Sequence, residues 1–267
     1  MDFKKTIFVL PNLLTAASLF CGMLAITRCI GAKATDEEAY RAALLLFYAF
    51  IFDLFDGRVA RMTKTQSAFG IEFDSLADLV SFGVAPAVIA YKWSLGAAGF
   101  AGVLVAFLYL LAGALRLGRF NIISHKPKPK GEKPDKYMLG LPIPMAAAFV
   151  IALLLAERAM GGWPWLTEYG LSIRGRGYPV MLVVMVVLAL LMVSTVRFRS
   201  FKDLKLSPFY ATVLIAVVGG SAAVGFFYSP KYILIALLMT YVTFGFIEAI
   251  VTWPRRRREK REARGQV

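Results

Sequence analysis

The sequence predicts an all-α, polytopic integral membrane bundle of about eight transmembrane helices. Of its 267 residues, 58% are hydrophobic and only 18% are charged. Apolar runs of about twenty residues recur along the chain, where a soluble domain would show amphipathic helices or alternating strands. Lysine and arginine cluster in alternate connections between those runs, as they do when one membrane face is cytoplasmic. The longest polar segments, "SHKPKPKGEKPDKY" and "RRRREKREARGQV", are Lys/Pro-rich and Arg-rich and cannot bury a core of their own. Residues 1–267 are therefore expected to form a single integral membrane domain, with a basic cytoplasmic tail at 254–267.

In chain order the spans are expected at 8–28, 41–61, 71–91, 96–116, 139–157, 178–196, 208–227 and 231–252. The first follows "MDFKK", but its apolar run is too long for a signal-peptide core and lacks a good cleavage site, so it is kept as a helix. Cys21 and Cys29 lie on it about 12 Å apart along the axis, too far for a disulfide, and are packing residues. The second span ends, and the third begins, in acidic residues. Pro86 is expected to bend the third. The fourth ends at Arg116, with Arg119 and Asn121 just beyond, and His125 follows in a basic, solvated loop. The remaining spans are predominantly apolar.

With the N-terminus placed in the cytoplasm, 23 of the 31 lysines and arginines fall on that side. Both termini are thus expected inside. The net charge of +14 follows the same face, which points to anionic lipid headgroups and away from nucleic acid.

The stretch "DLFDGRVARMTKTQSAFGIEFDSLAD", residues 53–78, places Asp53, Asp56, Asp74 and Asp78 between two apolar runs. Counted from a turn near Lys64 and Thr65, Asp56 and Asp74 lie about nine residues away, and Asp53 and Asp78 about twelve and thirteen. Two antiparallel helices would bring them into two layers, each i,i+3 or i,i+4 pair sharing one face. At mid-membrane each unpartnered carboxylate costs about 2.5–3.5 kcal/mol, so four unrelated aspartates are a poor explanation. Facing carboxylates without histidine or thiolate suit Mg²⁺ or Mn²⁺. Gly57, Ala60 and Gly70 leave room beside them, and Arg61 offers a permanent cation to phosphate oxygens. Metal, cation and open wall together describe a diphosphate site.

The same stretch resembles the signature of the CDP-alcohol phosphotransferase family, D-x₂-D-G-x₂-A-R-x₈-G-x₃-D-x₃-D, at every fixed position. The resemblance implies displacement of CMP from a CDP-linked lipid by an alcohol, with two divalent ions. It implies that Asp53, Asp56, Asp74 and Asp78 are metal ligands, with Asp78 also the general base. Gly57, Ala60, Arg61, Ser67 and Gly70 would hold the CDP-lipid.

Further stretches resemble the branch of the family whose acceptor is serine, in its membrane-integral form: "LPNLLTAASLFCGMLAI", "DSLADLVSFGVAPA", "ALRLGRFN" and "GLPIPMAAA". This implies CDP-diacylglycerol and L-serine as substrates, a homodimer among membrane lipids, and a bacterial-type inner (cytoplasmic) membrane location with the active site facing the cytoplasm. For binding the serine or a phosphate of the donor, Arg116, Arg119, Asn121, Asn12 and Thr15 are the candidates. Two readings of them stand. The arginines either grip the acceptor's carboxylate or anchor the helix end on the cytoplasmic face, and Asn12 and Thr15 either bind ligand or cap the first helix. Other acceptors (glycerol 3-phosphate, inositol phosphate) and an ether-lipid CDP-archaeol donor are the alternatives within the family. A cation or proton transporter is the alternative outside it, disfavoured because no internal repeat is present and the aspartates gather toward one face.

Overall fold

The computed structural model describes residues 3–30, 35–63, 65, 67–124, 137–159 and 178–199. Helix α1 (Phe3–Cys29) is followed by α2 (Asp36–Met62) and α3 (Ala68–Asp78). A π-helical turn, Leu79–Val84, carries α3 into α4 (Ala85–Trp93), and a 3₁₀ turn, Leu95–Ala98, leads to α5 (Phe100–Ser124). Then come α6 (Ile143–Ala159) and α7 (Tyr178–Val193). The first six expected spans are thus helices, with α3, the π turn and α4 forming the third. The expected spans at 208–227 and 231–252, and the 254–267 tail, lie outside the described residues.

Three helical stretches are long and apolar enough to cross a membrane: Leu10–Cys29, Ala68–Trp93 and Phe100–Ile123, with mean hydropathies of 1.6, 1.5 and 2.1. Ile143–Ala156 and Pro179–Val193 are apolar but shorter. Helix α2 opens on Asp36, Glu37, Glu38 and Arg41, is apolar from Ala42 to Phe52, and turns polar again with Asp53, Asp56, Arg58 and Arg61. The described residues therefore form a helical membrane protein.

Local chemistry sets the helix ends. Thr35 is the N-cap of α2 and accepts from the Glu38 amide at 3.3 Å, the spacing of a capping box. Ser67 caps α3, accepting from the Gly70 amide at 3.0 Å. Between these two helices the chain reverses tightly, with Thr63 and Thr65 hydroxyls 2.7 Å apart and the Thr65 amide donating to Ala60 O. Helix α1 starts at Phe3, so Asn12 and Thr15 sit well inside it and the capping reading for them is ruled out. Helix α5 runs on to Ser124, so Arg116, Arg119 and Asn121 belong to the helix and do not follow it.

Small residues let the helices approach. Ala25, Ala39, Ala42, Ala43 and Ala49 are fully or almost fully buried where α1 packs along α2. A side chain on Gly22 would lie 2.7 Å from Ser81 Oγ and 2.8 Å from its Cα, so α1 and the π turn are nearly backbone to backbone. Two serines stitch the three elements together: Ser18 donates to Ala49 O (2.9 Å) and Ser81 to Ser18 O (3.1 Å). Helix α6 is buried almost all round, from Ile143 to Leu155, as a helix apolar on every side should be.

A feature with no counterpart in the sequence reading is a two-stranded antiparallel ribbon. Strand β1 (Tyr137–Leu139) pairs with β2 (Arg197–Arg199), Met138 opposite Phe198. Gly140 ends β1 with φ +76, a conformation that favours glycine, and its amide donates to Val196 O at 2.8 Å.

The bend expected at Pro86 takes the form of the π turn. Proline has no N–H for the carbonyl four residues back, which is Phe82 O. The buried Tyr109 hydroxyl donates to that oxygen at 3.1 Å. Tyr109→Phe removes this donor and is expected to cost about 1–3 kcal/mol, the penalty of an unsatisfied buried carbonyl. Thermal unfolding of the detergent-solubilised protein should show the lower Tm. A Pro86→Ala change in the same background should recover part of the loss by restoring an N–H.

Candidate active site

The α2–α3 reversal brings the signature carboxylates together. Asp53, Asp56 and Asp74 each offer an oxygen, and these oxygens lie within 4.8 Å of one another. Asp78, on the last turn of α3, lies within electrostatic reach of Asp53, Asp74 and Arg116. Asp56 is 4% exposed, whereas Asp53, Asp74 and Asp78 are half-buried. Hard oxygen donors at this spacing, with no sulfur or imidazole among them, fit a divalent ion of the Mg²⁺ or Mn²⁺ type.

Helix α1 backs this centre. Thr15 Oγ1 lies 2.7 Å from Asp56 Oδ2 and 3.2 Å from Pro11 O, so its one proton has two acceptors, the carboxylate being much the closer. A hydroxyl donating to a metal-binding carboxylate fixes which oxygen is left for the metal. Thr15 thus stands behind Asp56 of the carboxylate cluster, although the sequence grouped it with the serine candidates. Asn12, grouped likewise, stands beside Gly70: its Oδ1 is 3.4 Å from the place a Gly70 side chain would take. Ser67 Oγ is 3.1 Å from the same place, so Asn12, Ser67 and Gly70 form one wall across α1 and α3. On α2, the Arg61 guanidinium comes within 3.4 Å of where a Gly57 side chain would stand. Arg61 is exposed and Ala60 half-buried, one turn beyond Asp56.

The two arginines of α5 separate. Arg116 is 4% exposed, lies 5.8 Å from the Phe120 ring centroid, and is within electrostatic reach of Asp78. It is no surface anchor. Arg119 serves the fold: Nη1 donates to Val193 O (2.9 Å), and Nη2 to Leu139 O, Met192 O and Ser194 O (3.1, 3.3 and 3.1 Å). These are the carbonyls that the end of α7 and strand β1 leave over, and a planar guanidinium spans them. Of the two readings left open for Arg119, an anchoring role is the one these contacts favour, because both of its terminal nitrogens serve backbone oxygens. Asn121 reaches from α5 to α3, where Ser75 and Glu72 receive it. Glu72 and Ser75 occupy unspecified positions of the signature, so nothing in the motif singled them out. A charged residue inside "FGIEFDSLAD" was the available signal.

Comparison with known proteins follows the same lines. A family model described as CDP-alcohol phosphatidyltransferase matches residues 8–253. The chain is 38% identical over 199 residues to a CDP-diacylglycerol–serine O-phosphatidyltransferase of Helicobacter pylori (strain ATCC 700392 / 26695), covering 74% of this chain and 75% of the relative. It is 32% identical over 247 residues to the enzyme of the same name from Mycobacterium tuberculosis (strain ATCC 25618 / H37Rv), covering 88% and 77%. A Saccharomyces cerevisiae (strain ATCC 204508 / S288c) protein of that name is 37% identical over 152 residues, covering 56% and 54%.

Two outcomes are expected from these contacts. Thr15→Val should raise the Mn²⁺ concentration needed for half-maximal activity by about tenfold, in the range seen when a partner of a metal ligand is lost. Arg119→Lys should lower the Tm while leaving the KM of every substrate within about twofold, because a lysine cannot span four carbonyls.

Proposed function

The chain belongs to the CDP-alcohol phosphatidyltransferase family, and we propose that it is an integral membrane enzyme that transfers the phosphatidyl group of CDP-diacylglycerol to the hydroxyl of L-serine. The products are phosphatidylserine and CMP. The observation that carries the reading is the convergence of Asp53, Asp56, Asp74 and Asp78 at the α2–α3 reversal. The relatives named CDP-diacylglycerol–serine O-phosphatidyltransferase, which the chain matches over most of its length, support serine as the acceptor.

The residues divide the work as follows. Asp53, Asp56 and Asp74, with Asp78, would hold two divalent ions, Mg²⁺ or Mn²⁺. When bound, such ions neutralise the diphosphate and stabilise the departing CMP. Gly57, Ala60 and Gly70 leave the wall open for the donor's diphosphate, and Arg61, Ser67 and Asn12 line it. Arg116 sits where the carboxylate of an amino-acid acceptor can meet a guanidinium near Asp78. Asp78 takes the serine hydroxyl proton as the serine oxygen bonds to the lipid-bearing phosphorus and the phosphorus–oxygen bond to CMP breaks. Asp53 lies within electrostatic reach of Asp78, so a cation held between them would serve both. We take residues 1–267 as one eight-helix membrane domain, with both termini and the active site facing the cytoplasm of the inner membrane. A homodimer surrounded by membrane lipids is the proposed assembly.

The test is CMP release by the purified protein with CDP-diacylglycerol, Mg²⁺ or Mn²⁺, and each alcohol in turn. Turnover with serine, abolished by EDTA, is expected. Turnover with glycerol 3-phosphate or inositol phosphate and none with serine would replace the acceptor and leave the family reaction standing. Asp78→Asn should cut kcat by about a hundredfold or more while largely sparing CDP-lipid binding, because it removes the proton acceptor and keeps the shape. Sidedness is checked by cysteines introduced in the 130–135 loop and after Arg258, which should react only with cytoplasmic reagent. One introduced near Tyr169 should react only from outside.

A further inference from the structure

The seam between α3 and α5 carries a second polar cluster that the metal centre does not use. Asn121 Nδ2 donates to Glu72 Oε2 at 3.0 Å and to Ser75 Oγ at 3.0 Å. Ser75 has one hydroxyl proton, with Ile71 O at 3.1 Å and Asn121 Oδ1 at 3.2 Å as its acceptors. The cluster adjoins the reaction centre on both helices. Ser75 follows Asp74 directly, and Arg116, within electrostatic reach of Asp78, lies on the same helix as Asn121. From the α2–α3 reversal toward the bundle interior, α3 presents Glu72, Ser75 and Asp78 in turn. Helix α5 runs the opposite way and presents Asn121, then Arg116. Glu72 is exposed, so a water-soluble molecule can reach it.

The acceptors open to a family member differ in charge. Serine is a zwitterion whose ammonium donates hydrogen bonds and accepts none. Glycerol 3-phosphate and inositol phosphate carry a phosphate dianion. A carboxylate held in place beside the path attracts the first and repels the second. We propose that Glu72, oriented by Asn121, is a specificity-determining residue that holds the ammonium of an amino-acid acceptor and disfavours phosphate-bearing alcohols. The inference rests on the reading of the protein as a serine phosphatidyltransferase and adds the group that selects the acceptor. Hydroxyl, carboxylate and ammonium then each have a counterpart: Asp78, Arg116 and Glu72.

An inter-helix tie with no role in recognition would show the same hydrogen bonds, and Glu72→Gln separates the two. Glutamine keeps an oxygen for Asn121 Nδ2 and removes only the charge. The purified full-length wild type and variant are assayed with CDP-diacylglycerol and Mn²⁺, using serine and 3-hydroxypropanoate, which is serine without its amine. In Glu72→Gln the serine KM should rise about tenfold, a charge-assisted contact discounted for exposure. The preference for serine over 3-hydroxypropanoate should fall by a similar factor, with the CDP-diacylglycerol KM unchanged. Unaltered serine kinetics and preference in the variant would overturn the inference and leave serine as the acceptor. A parallel rise in the CDP-diacylglycerol KM would also overturn it, by assigning Glu72 to the geometry of the hairpin. Wild-type CMP release with glycerol 3-phosphate and none with serine would overturn both this inference and the reading on which it rests.

Discussion

Carboxylates crowded within a few ångströms repel one another, by about 3 kcal/mol per pair at 5 Å and an effective dielectric near 20. The α2–α3 hairpin is built to withstand that repulsion. Its turn is short and hydroxyl-rich, with Thr63 and Thr65 bonded to each other and Ser67 capping α3, so the two helices cannot drift apart at their joined end. Behind them α1 lies close enough for Thr15 to bond Asp56 and for Ser18 to bond the α2 backbone. Such a site favours bound positive charge, which divalent cations would supply.

The rest of the described bundle fixes what faces that hairpin. The π turn after Asp78 and the Tyr109 hydroxyl on Phe82 O tie the third span to α5 at the level where Pro86 interrupts its hydrogen bonding. Farther along α5, Arg119 binds the carbonyls at the end of α7 and in β1, which fixes the register of α5. Arg116 and Asn121 lie on either side of this anchor, and both face α3. One arginine anchors the helix so that its neighbour three residues away can keep its place beside Asp78. Burial explains why such a polar stretch remains helical: Arg116 is 4% exposed, and the half-buried Arg119 and Asn121 have backbone or side-chain partners.

The carboxylate centre was legible because its information is local. Fixed spacing on two helices joined by a short turn determines which aspartates meet, and hydropathy alone marks the flanking spans. Hydropathy also misplaced the end of the fourth span, since it scores Arg116, Arg119 and Asn121 as solvent-seeking and cannot register partners on other helices. The division of labour between Arg116 and Arg119 depends on carbonyls more than seventy residues away, at Met192, Val193 and Ser194. The β1–β2 ribbon escaped notice for a similar reason: each strand has three residues, too few for alternation to register. Pro86 marked the place of the irregularity, but not its π form or the Tyr109 hydroxyl that meets Phe82 O from α5.

The central claim is that the four aspartates form one cation centre, and direct Mn²⁺ binding tests it independently of turnover. Electron paramagnetic resonance titration of the purified full-length protein counts bound Mn²⁺ in the wild type and in Asp74→Asn, with circular dichroism to compare their helix content. Saturable binding in the wild type, lost or weakened at least tenfold in the variant at unchanged helix content, is the expected result. Equal Mn²⁺ binding by the two proteins would contradict the carboxylate centre, and with it the placement of the reaction at the α2–α3 hairpin.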